Sequence, residues 1–232
     1  MKIHDVNQGS VEWLNLRAGI PTASEFDALL TPEFAIRNGE MAKTYLSKKL
    51  SEWWQGAPLM EYNTLDMELG QVLEESAKPS FTIETGIEIR NVGFVTTDDG
   101  TAGCSPDALI GDTSGIEIKC PRIETHVGYL LKDELPKAYA AQVHGSMFVT
   151  GRAEWHFYSY RRRLPSLHLL IERDDKIQEA IAEALAAFNE KLEAGKKILC
   201  EKNGGPPKRP KLAESTYPPG PTFPIKFVGI TP

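Results

Sequence analysis

The sequence predicts an α/β domain in which helices flank a central sheet. Three observations predict it. Apolar residues recur at helical spacing early in the chain, short β-prone stretches broken by Gly, Asp, Asn and Ser follow, and helical spacing then returns. A chain of 232 residues suits one domain with a real core, and 41% hydrophobic with 25% charged residues is close to the globular average. That balance excludes disordered, collagen-like and membrane-spanning classes.

Taken in order, Ser10 to Leu16 reads as a short helix broken by Gly19-Ile20-Pro21. Thr22-Ala23-Ser24-Glu25 is a T-x-x-E capping box that opens a second helix through Phe26, Leu29 and Leu30. Met41, Tyr45, Leu46, Leu50, Trp53 and Trp54 step by threes and fours, which predicts a long amphipathic helix from Ala35 to Trp54. A further helix is expected from about Asn63 to Ser76. Strands are expected at Phe81–Ile89, Val92–Thr97, Gly103–Ile110 and Gly115–Cys120. Helices return at Glu124–Lys132 and Lys137–Thr150, followed by strands at Ala153–Tyr160 and Leu167–Arg173. The last helix, Asp174–Leu199, carries Ile177, Ile181, Leu185, Phe188 and Leu192 on one stripe. The expected organisation is one domain over 1–203 and an extended tail over 204–232, which holds eight of the 16 prolines. Tyr217, Phe223, Ile225, Phe227 and Val228 suggest that the tail packs on a surface. No internal repeat is visible.

With 26 basic and 32 acidic residues the formal charge is −6, so the chain lacks the basic balance of a general nucleic-acid binder. Positive charge for a polyanion would have to be local. No apolar run reaches the roughly 20 residues that span a bilayer, and Met1 to Asn7 shows no signal-peptide core. Cys104, Cys120 and Cys200 are odd in number and form no CxxC pair, against a disulfide framework or a structural zinc site. A reducing cytoplasm is the expected compartment.

Chemistry concentrates in residues 104–120. Asp112-Thr113-Ser114-Gly115 reads as a turn, so two strands fold together with Asp107 on the first and Glu117 on the second. Alternation puts Glu117 and Lys119 on one face, about 7 Å apart, and Ile116, Ile118 and Cys120 on the other. Two carboxylates across a hairpin are hard oxygen ligands suited to Mg²⁺, and the Ile118 carbonyl lies at the same edge. A lysine beside them can hold a water and offset charge on a phosphate, as metal-assisted phosphodiester hydrolysis requires. The plain alternative is a solvated hairpin whose surface ion pair contributes under about 1 kcal/mol.

Pro106-Asp107 followed by Glu117-x-Lys119 resembles the PD-(D/E)XK nuclease superfamily. The longer Cys-Ser-Pro-Asp…Glu-Ile-Lys-Cys-Pro is similar to the phage lambda-type alkaline exonucleases, the YqaJ viral recombinase branch. The likeness runs from about Trp13 to about Tyr160. It implies a restriction-endonuclease-like core, a mixed central sheet flanked by helices. It implies a Mg²⁺-dependent exonuclease that degrades linear duplex DNA from the 5′ end, releases 5′-mononucleotides and leaves a 3′ overhang for strand annealing. Two Mg²⁺ per site are implied, with Mn²⁺ as a substitute, and so are a homotrimeric ring and a single-strand annealing protein as partner. Asp107, Glu117, the Ile118 carbonyl and Glu74 become the expected metal ligands. Lys119 and Gln142 complete the expected catalytic group.

Arg17, Thr22 and Ser24 form a second constellation. A helix starting at Thr22 and the Arg17 fork together suit a terminal phosphate, and the resemblance implies a 5′-phosphate pocket, with Ser105 as a further contact. The plain alternatives are that Thr22 and Ser24 only cap the helix and that Glu74 is part of a solvated helix face. His144 and His156 read as core or surface histidines. Arg161-Arg162-Arg163 and the basic residues from Lys196 to Lys211 fit either backbone contacts or solvated turns. Met67 or Leu65 is a candidate strand-separating wedge. The rival functions are a restriction-type or junction endonuclease with the same metal site, and a non-catalytic DNA-end binding module. An iron–sulfur nuclease is disfavoured because three cysteines are one short of a Cys₄ cluster.

Overall fold

The computed structural model describes residues 1–59 and 65–206, and the side chains at 65–72 and 75 are outside that description. The expected wedge residues Leu65 and Met67, and all but the first three residues of the expected tail, therefore lie outside the described side chains and residues.

The order is β1 (Lys2–His4), α1 (Val11–Arg17), a 3-10 helix (Ala23–Ala28), α2 (Glu40–Gln55), α3 (Leu65–Thr85), β2 (Phe94–Thr96), β3 (Gly103–Cys104), β4 (Ala108–Ile110), β5 (Ser114–Lys119), α4 (Ile123–Lys132), α5 (Lys137–Thr150), β6 (Glu154–Ser159), β7 (Leu167–Glu172) and α6 (Asp175–Asn203). β1, β2 and β3 form a small antiparallel sheet, and the second sheet runs β4-β5-β6-β7. Its β5–β6 pair is parallel and its outer pairs are antiparallel, so the sheet is mixed. A parallel pair needs a long crossover, and α4 with α5 supplies it.

Helices cover both faces of β5. On one side Ile116 and Ile118 pack with Ala77 and Phe81 of α3. On the other, Val143 and Met147 of α5 pack with Leu109, Trp155 and Phe157. Ser114 to Ile118 are accordingly all buried, as parallel strands between two layers are. The solvated-hairpin alternative is excluded by this burial: Glu117 is 3% exposed. Arg152 is also buried, and its guanidinium donates to the carbonyls of Ile110, Gly111 and Ser114, pinning the β4–β5 turn.

Several expected elements change. The Gly103–Ile110 strand is cut in two because Ser105-Pro106-Asp107 leaves one sheet and enters the other, and proline has no N–H for a ladder. The Phe81–Ile89 strand is instead the end of α3. Phe81 is fully buried against Tyr158, and Gly86 ends the helix at φ 70°. The capping-box helix is a six-residue 3-10 helix whose Thr22 makes no capping bond. The helix expected from Ala35 begins at Glu40, after a loop in which Phe34 holds a left-handed φ of 61°. β1 had no sequence signal long enough to read. The capped ends of α1 at Ser10 and α6 at Asp174 agree with expectation. No helix among the described residues is long and apolar enough to cross a membrane.

His156 has a partner that sequence spacing did not show: its Nδ1 lies 2.7 Å from His168 Nε2. Burial, reinforced by His168, lowers the His156 pKa to about 4. The folded state thus excludes a proton that the unfolded chain takes up near pH 6.5, so this contribution to stability is present above 6.5 and lost as pH falls toward 4. Urea midpoints should fall more between pH 7 and 4.5 for the wild type than for His156→Gln; equal declines would remove this role.

Candidate active site

The break between β3 and β4 brings two groups of side chains together. Asp107 enters β4 opposite β5, and its Oδ2 accepts the Ile118 N–H at 2.6 Å. Glu117 points toward α5, where its Oε1 accepts from Lys119 Nζ at 2.6 Å and from Gln142 Nε2 at 2.6 Å. The Lys119 ammonium also lies over the Tyr139 ring, 5.1 Å from its centroid. Tyr139 has no place in the sequence reading of the site. Its position two residues into α5, three before Gln142, is the signal that would have found it.

The electrostatics follow from burying like charges together. Burial, followed by the repulsion of Asp107, raises the Glu74 pKa to about 7. For Glu117 burial leads again, partly offset by Lys119, and its pKa rises to about 7. Asp107 is raised by burial against the pull of Lys119 and the Ile118 N–H. Burial works against the Lys119 charge, but Glu117 and Asp107 outweigh it and hold the ammonium above its ordinary pKa.

Glu74, Asp107, Glu117 and the Ile118 carbonyl are hard oxygen donors, and carboxylates with raised proton affinity are those whose charge a cation would relieve, so the donor chemistry fits Mg²⁺. Among the described residues no three carboxylate, histidine or cysteine side chains are gathered as a ready metal cage. N–H and ammonium donors hold the carboxylates of Asp107 and Glu117 instead.

The second group is gathered around Arg17. Arg17 Nη1 donates to Ser105 Oγ at 3.0 Å and Nη2 to Ser24 Oγ at 3.3 Å. Among the described residues no carboxylate forms an ion pair with Arg17; Glu25 and Glu52 act on its charge at longer range. Trp13, one helical turn earlier on α1, lies under the guanidinium at 4.4 Å and donates Nε1–H to Ser105 Oγ at 2.9 Å. Trp13 has no place in the sequence reading of this group; its i, i+4 spacing from Arg17 was the available signal.

Thr22 departs from expectation. It is fully buried, its hydroxyl donates to Glu25 Oε2 at 3.2 Å, and its N–H donates to Tyr45 Oη, so it sits behind Ser24 rather than lining the pocket. The helix N-terminus expected there as an anion site is replaced by this arrangement. Beneath it, Glu25 binds Lys48 at 2.6 Å and Lys49 at 3.0 Å, and Lys49 also binds Glu52. Burial opposes the Glu25 charge, but Lys49 and Lys48 hold its carboxyl below the usual range. Gln8 ties the joining segment down by donating to the Pro106 carbonyl at 2.8 Å. Nothing in the sequence singled out Gln8. Of the basic turn, Arg161 donates to the Pro121 carbonyl. His144 is buried beside Phe34 as a core residue.

Comparison with known proteins bears on this arrangement. The family model for the YqaJ-like viral recombinase domain matches residues 12–153. The alkaline exonuclease LHK-Exo from Laribacter hongkongensis is 31% identical and superposes with a TM-score of 0.77, covering 84% of this chain and 98% of that one. Its crystal structure in complex with dAMP gives 32% identity and a TM-score of 0.76 over 84% of this chain and 98% of that one. A phage-related exonuclease from Haemophilus somnus 129PT is 14% identical, with a TM-score of 0.59 over 79% of this chain and 96% of that one, and shares the fold. No curated protein sequence matches significantly.

Glu74 and Glu117 carry part of a proton near pH 7, so a divalent cation binding there should displace it. Titration with Mg²⁺ in weak buffer at pH 7 should release up to about one proton, and almost none at pH 9, where both groups are already ionised. Asp107→Asn should reduce the pH 7 release. Proton release that is equal at the two pH values would contradict the assignment.

Proposed function

Because the chain belongs to the YqaJ-like viral recombinase family, we propose that it is a metal-dependent exodeoxyribonuclease acting on linear duplex DNA from the 5′ end. In this reading it releases 5′-mononucleotides and leaves a 3′ single strand for recombination by annealing. The observation that carries the reading is the position of Ser105. Its hydroxyl belongs to the Arg17 pocket, while Asp107, two residues on, accepts from β5 beside Glu117 and Lys119. A terminal phosphate held in that pocket lies next to the carboxylates, as removal of one nucleotide at a time requires. That a related alkaline exonuclease was crystallised with dAMP, a deoxynucleoside monophosphate, supports the product class.

Asp107, Glu117, the Ile118 carbonyl and Glu74 would hold Mg²⁺, two ions in this reading, with Mn²⁺ as a substitute. When bound, the metal would stabilise charge on the phosphoryl oxygens and lower the pKa of a water. Lys119 orients the attacking water and offsets negative charge as the phosphodiester opens. Gln142, through its bond to Glu117, keeps that carboxylate turned toward the site. Arg17, Ser24 and Ser105 grip the 5′-phosphate and Thr22 supports Ser24 from below. A homotrimeric ring around the duplex and a single-strand annealing protein as partner belong to the same proposal. A net charge of −6 on one domain supports placing the DNA against a local basic surface.

Asp107→Ala and Lys119→Ala should each lower digestion of a linear duplex by more than about 100-fold while retaining DNA binding, and chelation of the metal should do the same to the wild type. Closed circular duplex should survive. Cutting of the circle at the linear rate would favour the endonuclease, and digestion unchanged in both variants would refute the site.

A further inference from the structure

Ser105 carries more information than a contact. Its Oγ accepts two hydrogen bonds, from Trp13 Nε1 at 2.9 Å and from Arg17 Nη1 at 3.0 Å. Indole and guanidinium nitrogens are donors only, and a hydroxyl oxygen has two acceptor lone pairs. Both are therefore taken, and the hydroxyl proton must seek a third partner. Among the described residues no acceptor receives it. Ser24 is exposed at the mouth of the same pocket, and Thr22 beneath it has an acceptor of its own in Glu25. The groups around the pocket mouth are the remaining Arg17 N–H groups and the Ser105 hydroxyl as donors, with Ser24, which accepts from Arg17 Nη2 and lies 3.4 Å from the Thr22 hydroxyl, beside them.

From this we propose that Trp13 is the positioning residue that sets the end-group specificity of the pocket. Its indole N–H fixes Ser105 as an outward donor, and its ring supports the plane of the Arg17 guanidinium at 4.4 Å. A pocket of converging donors suits a phosphate, which offers acceptors only. A 5′-hydroxyl has a proton that must itself be donated, and at Ser105, where both lone pairs are taken, it meets no acceptor, so this position disfavours it by leaving a polar group unpaired. Without the indole N–H, a lone pair of Ser105 is freed to receive such a proton and discrimination falls. The inference rests on the 5′-phosphate reading of the pocket.

The test measures kcat/KM on linear duplexes with 5′-phosphate or 5′-hydroxyl ends, in Mg²⁺, for the full chain. Trp13→Phe keeps a ring beneath Arg17 and removes only the donor. It should lower the phosphate-to-hydroxyl ratio by about five- to tenfold, the scale of one oriented hydrogen bond. In the Ser105→Ala background the same substitution should change the ratio by less than about twofold, because the two act through one hydroxyl. An equal loss on both substrates, as a merely structural role would give, overturns the proposal. Arg17→Ala separates the premises. If it alters the ratio and Trp13→Phe does not, the pocket stands and Trp13 has no part in its specificity; if neither alters it, the phosphate reading itself fails.

Discussion

One hydrogen bond, from the Ile118 N–H to Asp107 at 2.6 Å, holds the two halves of this site in register. It crosses from the C-terminal end of β5 to the segment where the chain leaves one sheet for the other. On one side of that segment Ser105 answers to Arg17 and Trp13. On the other, Glu117 and Lys119 project from the strand that supplies the bond. Gln8, on the Pro106 carbonyl, fixes the same segment from a further direction, and Arg152 pins the far end of the β4–β5 hairpin. A small shift here would separate the anion pocket from the carboxylates, and catalysis is sensitive to displacements of about 1 Å.

The strand that makes this register possible is buried from Ser114 to Ile118, and that sets the electrostatic problem of the fold. Charges on a strand covered on both faces need partners within reach, since an unpaired buried charge costs several kcal/mol. Glu117 finds Lys119 and Gln142, and Lys119 finds the face of Tyr139. Under the anion pocket the same problem is solved by Lys48, Lys49, Glu25 and Glu52, with Gly19 donating its N–H to Glu52 at 3.0 Å. A net charge of −6 is compatible with a polyanionic substrate on these terms. Asp107 and Glu117 are held by N–H and ammonium donors, and among the described residues Arg17 forms no ion pair with a carboxylate.

How much of this could be read beforehand depends on whether the cause was local. The long helices Lys137–Thr150 and Asp175–Asn203 were legible from the helical pattern of their own residues. Asp107, Glu117 and Lys119 were legible because a hairpin fixes their relative faces from spacing alone. The fate of Phe81 was not, because its β-prone neighbourhood is overridden by burial against Tyr158. Nor was the burial of Thr22, whose Glu25 partner is itself held by lysines more than 20 positions away along the chain. Trp13, Tyr139 and Gln8 were missed for the same reason: their roles consist of contacts with distant Ser105, Lys119 and Pro106.

The account stands or falls on the closeness of the proposed terminal-phosphate pocket to the proposed cleavage site. The most direct measurement is the length of the first product from a 5′-labelled, 5′-phosphorylated linear duplex in a single turnover with Mg²⁺. The account predicts that the label appears as a mononucleotide from the first time point, while a label at the 3′ end of the same strand stays in long fragments. A first labelled product of two or more nucleotides, or prior loss of the 3′ label, would contradict it.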